Sequence, residues 1–443
     1  MNNPEFKRNI WLELSLHRLI AAPVLLGLIF FVLMQNDNGA GMGAGITNSI
    51  AKSIFVIATI LWGSHLAFAS VSEELQNRTW DNQRMSALSP FKLAWGKLFG
   101  ATAFAWYIGV PCVIAMLLTP SITYGSNVQT SNVAVAMSLI LGALFAQALA
   151  FVSALIAAKS NAAVPRGISL LFLFVLMPMV GQFLFDTRNP TQLWYGQELT
   201  RNGFINASLL AFTAWTWLAS YRVMQSALQI KARPWAMLLF VLFCAFYIQG
   251  FYAAHSIGNF ASIAFVLAVS MVYVGAVTEK RDLVSVRRCI NPWLAQNPAS
   301  ALKETPYFVV LALFSVFALL LTLLGTNIND NFFFQNALHG QPFVWLGLVV
   351  VLLMLRDIGL LYYFSLGKKP QRAAMTTFFY LIVLYALLPL LLPNSVGLIA
   401  FPLKSLTQST GVYGALVLAI VHVAVVAGLL YKQHIDMNKS LAS

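Results

Sequence analysis

The sequence predicts an all-α polytopic membrane protein, with about twelve transmembrane helices in two six-helix halves. Three observations carry that expectation. Only 9% of the 443 residues are charged while 59% are hydrophobic, against roughly 25% charged in soluble globular domains. Long apolar runs recur along the whole chain, each able to cross a hydrocarbon core of about 30 Å as a helix that satisfies its own backbone. The alternating ten-residue segments of a membrane barrel are missing.

The expected spans fall near residues 15–35, 50–71, 98–119, 133–158, 167–186, 206–224, 233–254, 259–277, 306–326, 342–365, 373–393 and 411–431. Lys and Arg in short loops set the orientation of such a bundle. With the N-terminus inside, 22 of the 27 cations fall on or near the cytoplasmic side; Lys52, Arg188, Arg201 and Lys404 fall outside, and Arg356 lies within a span. Both termini are then cytoplasmic. The net charge of +13 is read as this topology signal, and nucleic acid is not an expected partner. Three scattered cysteines without a CxxC pair argue against a disulfide framework or a zinc site, and no cleavable leader is evident after the first apolar run.

A repeat underlies the spans. Glu73 follows the second span and a basic turn ending at Pro165-Arg166 follows the fourth; Glu279 follows the eighth span and Lys368-Lys369-Pro370 follows the tenth. Glu73 to Pro165 covers 92 residues and Glu279 to Pro370 covers 91. Two similarly oriented halves follow, residues 1–230 with an N-terminal interfacial helix and residues 231–443. No soluble domain is expected. The largest pieces outside the membrane are loops at about 72–97 and 278–305, long enough to be functional.

The first of these loops concentrates Glu73, Glu74, Arg78, Asp81, Arg84, Lys92 and Lys97 around Trp80 and the Ser89-Pro90 turn. Ser72 is read as a helix cap with the two acids in the first turn, where the helix dipole favours them. Ser89-Pro90 ends that helix and Phe91–Gly100 starts another. The surface helix would show Trp80, Met85 and Leu88 to a partner's groove. A solvated loop that merely sets topology is the plainer reading, but topology needs only cations.

These residues resemble the permease subunits of ABC exporters of the second type. That family has an acidic pair after its second span, a Gly-Thr step, a Leu-rich segment, a Pro-Ser or Ser-Pro turn, and a Gly-Lys opening its third span. The matching residues are Glu73-Glu74, Thr79, Leu88-Ser89-Pro90 and Gly96-Lys97, with Arg78 where the family has glycine. The start "PEFKRNIWLELSLHRL" is similar to the family's interfacial helix, with Phe6, Ile10, Trp11 and Leu14 on one face and Lys7 and Arg8 toward the headgroups. The second half keeps Glu279 and Arg281 in "EKRDLVSVRR" but lacks Gly-Lys and the Ser-Pro turn. The resemblance implies two fused membrane halves that bind two cytoplasmic ABC ATPase subunits. The docking contacts implied are Glu73, Glu74, Arg78, Trp80, Asp81, Arg84, Pro90, Lys97, Glu279 and Arg281. It also implies short re-entrant helices near 187–205 and 394–410.

Without a GxxxxGK[ST] loop the chain is not expected to hydrolyse ATP. ATP and magnesium would bind the partner, with no cofactor, metal or catalytic residue here. Inside the membrane, Gln147 and Arg356-Asp357 are the candidate polar site. The functional reading is a substrate-path charge or gate, since ionisable groups in lipid are costly. The plain reading is an ion pair near a helix end, with Arg356 snorkelling to the interface. His65 and His422 lie in spans and are read as pairing with neighbouring helices. Gly142, Ala146, Ala150, Ala154 and Ala158 form a small-residue stripe for close helix packing. The alternative function is an ion-coupled secondary transporter of twelve spans. A relay protein that moves no substrate ranks third, for want of a large external domain. The expected location is a bacterial inner membrane, with lipid as solvent and the transported substrate unnamed.

Overall fold

The computed structural model describes residues 3–35, 42–77, 79–80, 88–120, 132–160, 191–228, 235–252, 256–279, 305–323, 343–367, 372–391 and 412–442, with a few single positions between them. The chain divides into two compact units, Met1–Leu193 with Gln197–Ala232, and Trp194–Gly196 with Arg233–Ser443.

In the first unit, α1 (Pro4–Glu13) starts at an Asn3 cap with proline in the first turn, where its missing N–H costs nothing. α2 (Leu16–Gln35) follows. α3 (Met42–Phe55), a π-helical segment (Val56–Trp62) and α4 (Gly63–Gln76) form one continuous rod. Its apolar length of 34 residues is about 50 Å at the α-helical rise, well beyond a hydrocarbon core of about 30 Å. The rod is therefore longer than the core is thick, and its last turn carries Glu73 and Glu74. α5 (Pro90–Ala101) and α6 (Ala103–Leu118) make a pair bent by 55° at Thr102. α7 (Asn132–Ser160) is next, then strands β1 (Thr191–Trp194) and β2 (Gln197–Thr200), then α8 (Arg201–Ala227).

The second unit contains α9 (Trp235–Gln249), α10 (Ile257–Thr278), α11 (Tyr307–Thr322) and α12 (Phe343–Ser365). α13 (Ala373–Ile382) continues through a second π-helical segment (Val383–Leu387) into α14 (Leu388–Leu391), and α15 (Val412–Ala442) ends the fold. Among the described residues seven helices are long and apolar enough to cross a membrane, eight if the bent pair α5–α6 is one span. The chain is a helical integral membrane protein. Of the other expected spans, α9 and α11 are shorter apolar helices, α8 carries buried Ser208, Thr213 and Ser220, and 167–186 lies outside the described residues.

Two differences from the expected fold have plain causes. Ser72 is buried inside α4 rather than capping a new helix, and Glu73 and Glu74 fall in the last turn of that helix. Ser-Glu-Glu contains no helix breaker, so the rod simply continues. Near 187–205 the described residues form a β-hairpin instead of a re-entrant helix. Tyr195 and Gly196 both have positive φ (50° and 73°), the two-residue loop that matches strand twist. The 394–410 segment lies outside the described residues.

Core packing in the first unit joins Ala67, Phe68 and Val71 of α4 to Leu93 of α5 and Ala150, Phe151 and Ala154 of α7. Of the predicted stripe, Ala150 and Ala154 join this core and Ala146 a second one, whereas a Cβ on Gly142 would meet nothing within 4 Å. The second unit packs Ala264, Ala268 and Val272 of α10 with Phe308 and Leu311 of α11 and Met354 of α12.

Candidate functional site

Two clusters of polar side chains stand out, one in each unit. The first is built around Lys97. Glu74 sits in the last turn of α4, where the helix dipole disfavours a carboxylate, so a nearby cation is needed. Lys97 supplies it from α5, its Nζ 2.6 Å from Glu74 Oε1 and 3.2 Å from Glu5 Oε1 of α1. The Lys97 side chain is 1% exposed. Arg8 adds a second, half-exposed cation, 3.5 Å from Glu5 Oε2 and 3.7 Å from Glu74 Oε1. Among the described residues two carboxylates meet two cations here, and such pairing is the condition under which a buried ammonium is tolerated.

Glycine makes this approach possible. A Cβ on Gly96 would lie 2.9 Å from the Glu5 Cβ and from the Phe6 backbone nitrogen, and one on Gly100 would lie 2.7 Å from the Asn9 Cβ. Across this seam Asn3 Nδ2 donates to the Lys92 carbonyl at 2.7 Å and Asn9 Nδ2 to the Gly96 carbonyl at 3.2 Å. α1 therefore docks by a polar face, Asn3, Glu5 and Asn9, while Trp11 and Leu12 remain exposed. At its end, burial pushes the Glu13 carboxyl up from its ordinary pKa, the Arg18 charge opposes that, and Glu73 adds to it.

Of the predicted docking residues, Glu73 is exposed, Pro90 is the first residue of α5, and Glu74 and Lys97 belong to the cluster. Trp80 is 7% exposed and packs with Val71, Leu93, Phe151 and Met224. An indole gains more from that core than from water, so it is not displayed for a partner. In the second unit Glu279 Oε1 accepts from the Tyr307 backbone N–H at 3.1 Å, holding the start of α11. Arg78, Asp81, Arg84 and Arg281 lie outside the described residues.

The second cluster surrounds Arg356 and Asp357 of α12, each 2% exposed. Arg356 Nε donates to Asp357 Oδ1 at 2.8 Å. Tyr273 of α10 and Tyr385 of the π-helical segment both donate to Asp357 Oδ2, at 2.8 and 2.7 Å. Arg356 Nη1 lies 3.1 Å from His422 Nδ1 of α15, and its guanidinium stands 5.0 Å from the Tyr385 ring centroid. Arg356 thus stays inside the protein instead of snorkelling, because Asp357, His422 and an aromatic face meet it there.

Gln147 of α7 is a neutral counterpart in the first unit, 1% exposed. Its Nε2 donates to the Thr59 carbonyl in the first π-helical segment at 2.8 Å, and Trp106 Nε1 donates to its Oε1 at 3.0 Å. A Cβ on Gly63 would lie 2.5 Å from that Nε2, so the glycine leaves room for the amide.

Sequence reasoning missed Asn3, Glu5, Asn9, Tyr273 and Tyr385. The Gly96-x-x-x-Gly100 spacing was the one signal for the first three, since small residues four apart invite a close neighbour. Tyrosines in apolar spans carried no such mark. Comparisons with protein-family models, with curated proteins and with solved structures found no match to this chain.

Proposed function

We propose that the chain is the membrane-spanning permease of an ATP-driven ABC exporter, with two fused six-helix halves of twelve spans in all. Two separate cytoplasmic ATPase subunits, which bind ATP and magnesium, would drive it. In this reading both termini face the cytoplasm of a bacterial inner membrane, and the substrate is unnamed. The observation that supports it most is the Lys97 cluster, which ties α1, the last turn of α4 and the second half of α5 into one body. A push received at the loop after Gln76 would reach three helices together, as force transfer from an external motor requires. The motif residues Glu74 and Lys97 then stiffen the lever, and exposed Glu73 with the loop beyond it meets the ATPase.

Replacing residues 81–87 by a Gly/Ser linker, which leaves the Lys97 cluster and the buried Trp80 in place, is the test. The expected outcome is loss of ATPase co-purification and of coupled hydrolysis, with protein yield retained. A linker variant that still binds and couples its ATPase would sink the reading. The buried Asp357 carboxylate supports one alternative, an ion-coupled carrier. Transport abolished by an uncoupler and indifferent to vanadate would establish that alternative instead.

A further inference from the structure

One apolar helix of the second unit is barely attached to the rest. In the stretch Ala373–Leu391 the fully buried side chains are Ala373 and Thr377, both near its start. Met375, Phe378, Phe379, Leu387, Leu390 and Leu391 are exposed. Tyr380 meets Phe364 of α12 at 5.0 Å between ring centroids. Beyond it, Tyr385 makes the polar connection: its hydroxyl is on Asp357, its ring is under Arg356, and its carbons pack beside Val349, Leu353, Ala415 and Ala419.

Tyr385 is also the middle residue of the π-helical segment Val383–Leu387. A π turn holds one residue more than an α turn, and such turns cluster at functional sites. If the segment reverts to α-helical pairing, the helix beyond it rotates by about 100°, one residue's worth of turn. Tyr385 then cannot keep its hydroxyl on Asp357 while Thr377 and Ala373 keep their places. Backbone form and side-chain bond are therefore coupled. Release leaves Asp357 served, because Tyr273 and Arg356 still donate to it. The first unit offers an independent parallel, where Gln147 bonds a carbonyl of the other π-helical segment.

We propose that Val383–Leu387 is a two-state joint inside the membrane. Tyr385 bound to Asp357 latches the wide π form; in the straight form Tyr385 leaves Asp357 and the helix from Leu388 onward swings. The joint does not depend on the ATPase reading, since its switching is a property of this chain alone.

The test uses the full chain in lipid nanodiscs, with the native cysteines replaced by Ala and spin labels at Leu390→Cys and Val417→Cys. Pulsed EPR on this parent is expected to give one dominant distance. Tyr385→Phe, which removes the hydroxyl and keeps the ring, is expected to raise a second distance at least tenfold in population, while Tyr380→Phe leaves the parent pattern. Deletion of Leu384, which removes the extra residue, is expected to give the second distance alone. A single unshifted distance in Tyr385→Phe overturns the proposal. Hydrogen exchange on the unlabelled protein covers variants that label poorly. Amides 383–391 are expected to exchange at least tenfold faster in Tyr385→Phe with α10 and α12 unchanged. No acceleration, or acceleration throughout the second unit, overturns the joint in favour of plain structural support.

Discussion

Gln147 and Asp357 each interrupt a long apolar helix, α7 in the first unit and α12 in the second, and each meets a π-helical segment. The means of satisfaction differ. The neutral amide of Gln147 needs two partners, one backbone carbonyl and one indole N–H. The carboxylate of Asp357 draws on Arg356 and two tyrosines, with His422 behind the arginine. A polar group in lipid can be served by one or two neighbours; a charge recruits a network that binds helices together. The first unit keeps its charge network elsewhere, where the first turn of α1 and the last turn of α4 meet Lys97 within α5. In one unit the paired ions come from three helices; in the other they are neighbours in a single helix and reach the rest through tyrosines and a histidine.

The sharpest way to break this contrast is to remove the two groups in parallel. Asp357→Asn leaves the buried Arg356 without a counter-ion, and the expected loss is about 3 kcal/mol or more, the scale of an unpaired charge in such surroundings. Gln147→Leu removes a neutral group and is expected to cost about 1–2 kcal/mol. Reversible SDS titration of each variant reads both losses. Equal losses would erase the distinction between amide and charge.

Next in size is Lys97→Met. It leaves Glu5 and Glu74 facing each other, with the half-exposed Arg8 as the nearest cation among the described residues. The expected cost is about 2–3 kcal/mol, somewhat under that of a fully buried orphan charge. The readout specific to the cluster is thiol labelling of Ile10→Cys, which is expected to quicken as α1 detaches. Adding Glu5→Gln and Glu74→Gln to Lys97→Met is expected to recover most of the stability, since the one charge that loses its partners, Arg8, is half-exposed to solvent. Failure of that rescue would mean that Lys97 acts through packing of its chain and not through charge.

How far these sites could be read beforehand follows from what each residue's neighbours are in sequence. Membrane helices were legible because lipid imposes one requirement everywhere, and the runs 16–35, 343–365 and 373–391 display it. The helix restart after Ser89 was legible because Ser-Pro acts locally, and α5 does begin at Pro90. The continuation of α4 through Ser72 was not, since serine caps or rides inside a helix according to what surrounds it. Glu5 and Lys97 are 92 residues apart, and no local pattern pairs them. Trp80 between charged residues looked displayed, but its burial depends on α7 and α8. The Asp357 cluster was half legible. Arg356-Asp357 stood out as charge in an apolar run, whereas Tyr273 and Tyr385 looked like ordinary packing residues.

The smallest expected effect tests whether local signals in the first unit carry energy of their own. Ser89 Oγ accepts from the Lys92 N–H at 3.4 Å, a long bond, and Pro90 already fixes the first helical residue. Ser89→Ala is therefore expected to cost about 0.5 kcal/mol, the low end for a lost cap, with Ile10→Cys labelling unchanged. The comparison with Lys97→Met then separates two accounts of how α1 is held. Should Ser89→Ala release α1 as readily as Lys97→Met, the position of α5 is the controlling quantity and the buried ions merely follow it. Should α1 stay docked, the charges hold it, and the seam formed by Gly96 and Gly100 is the surface they hold it against.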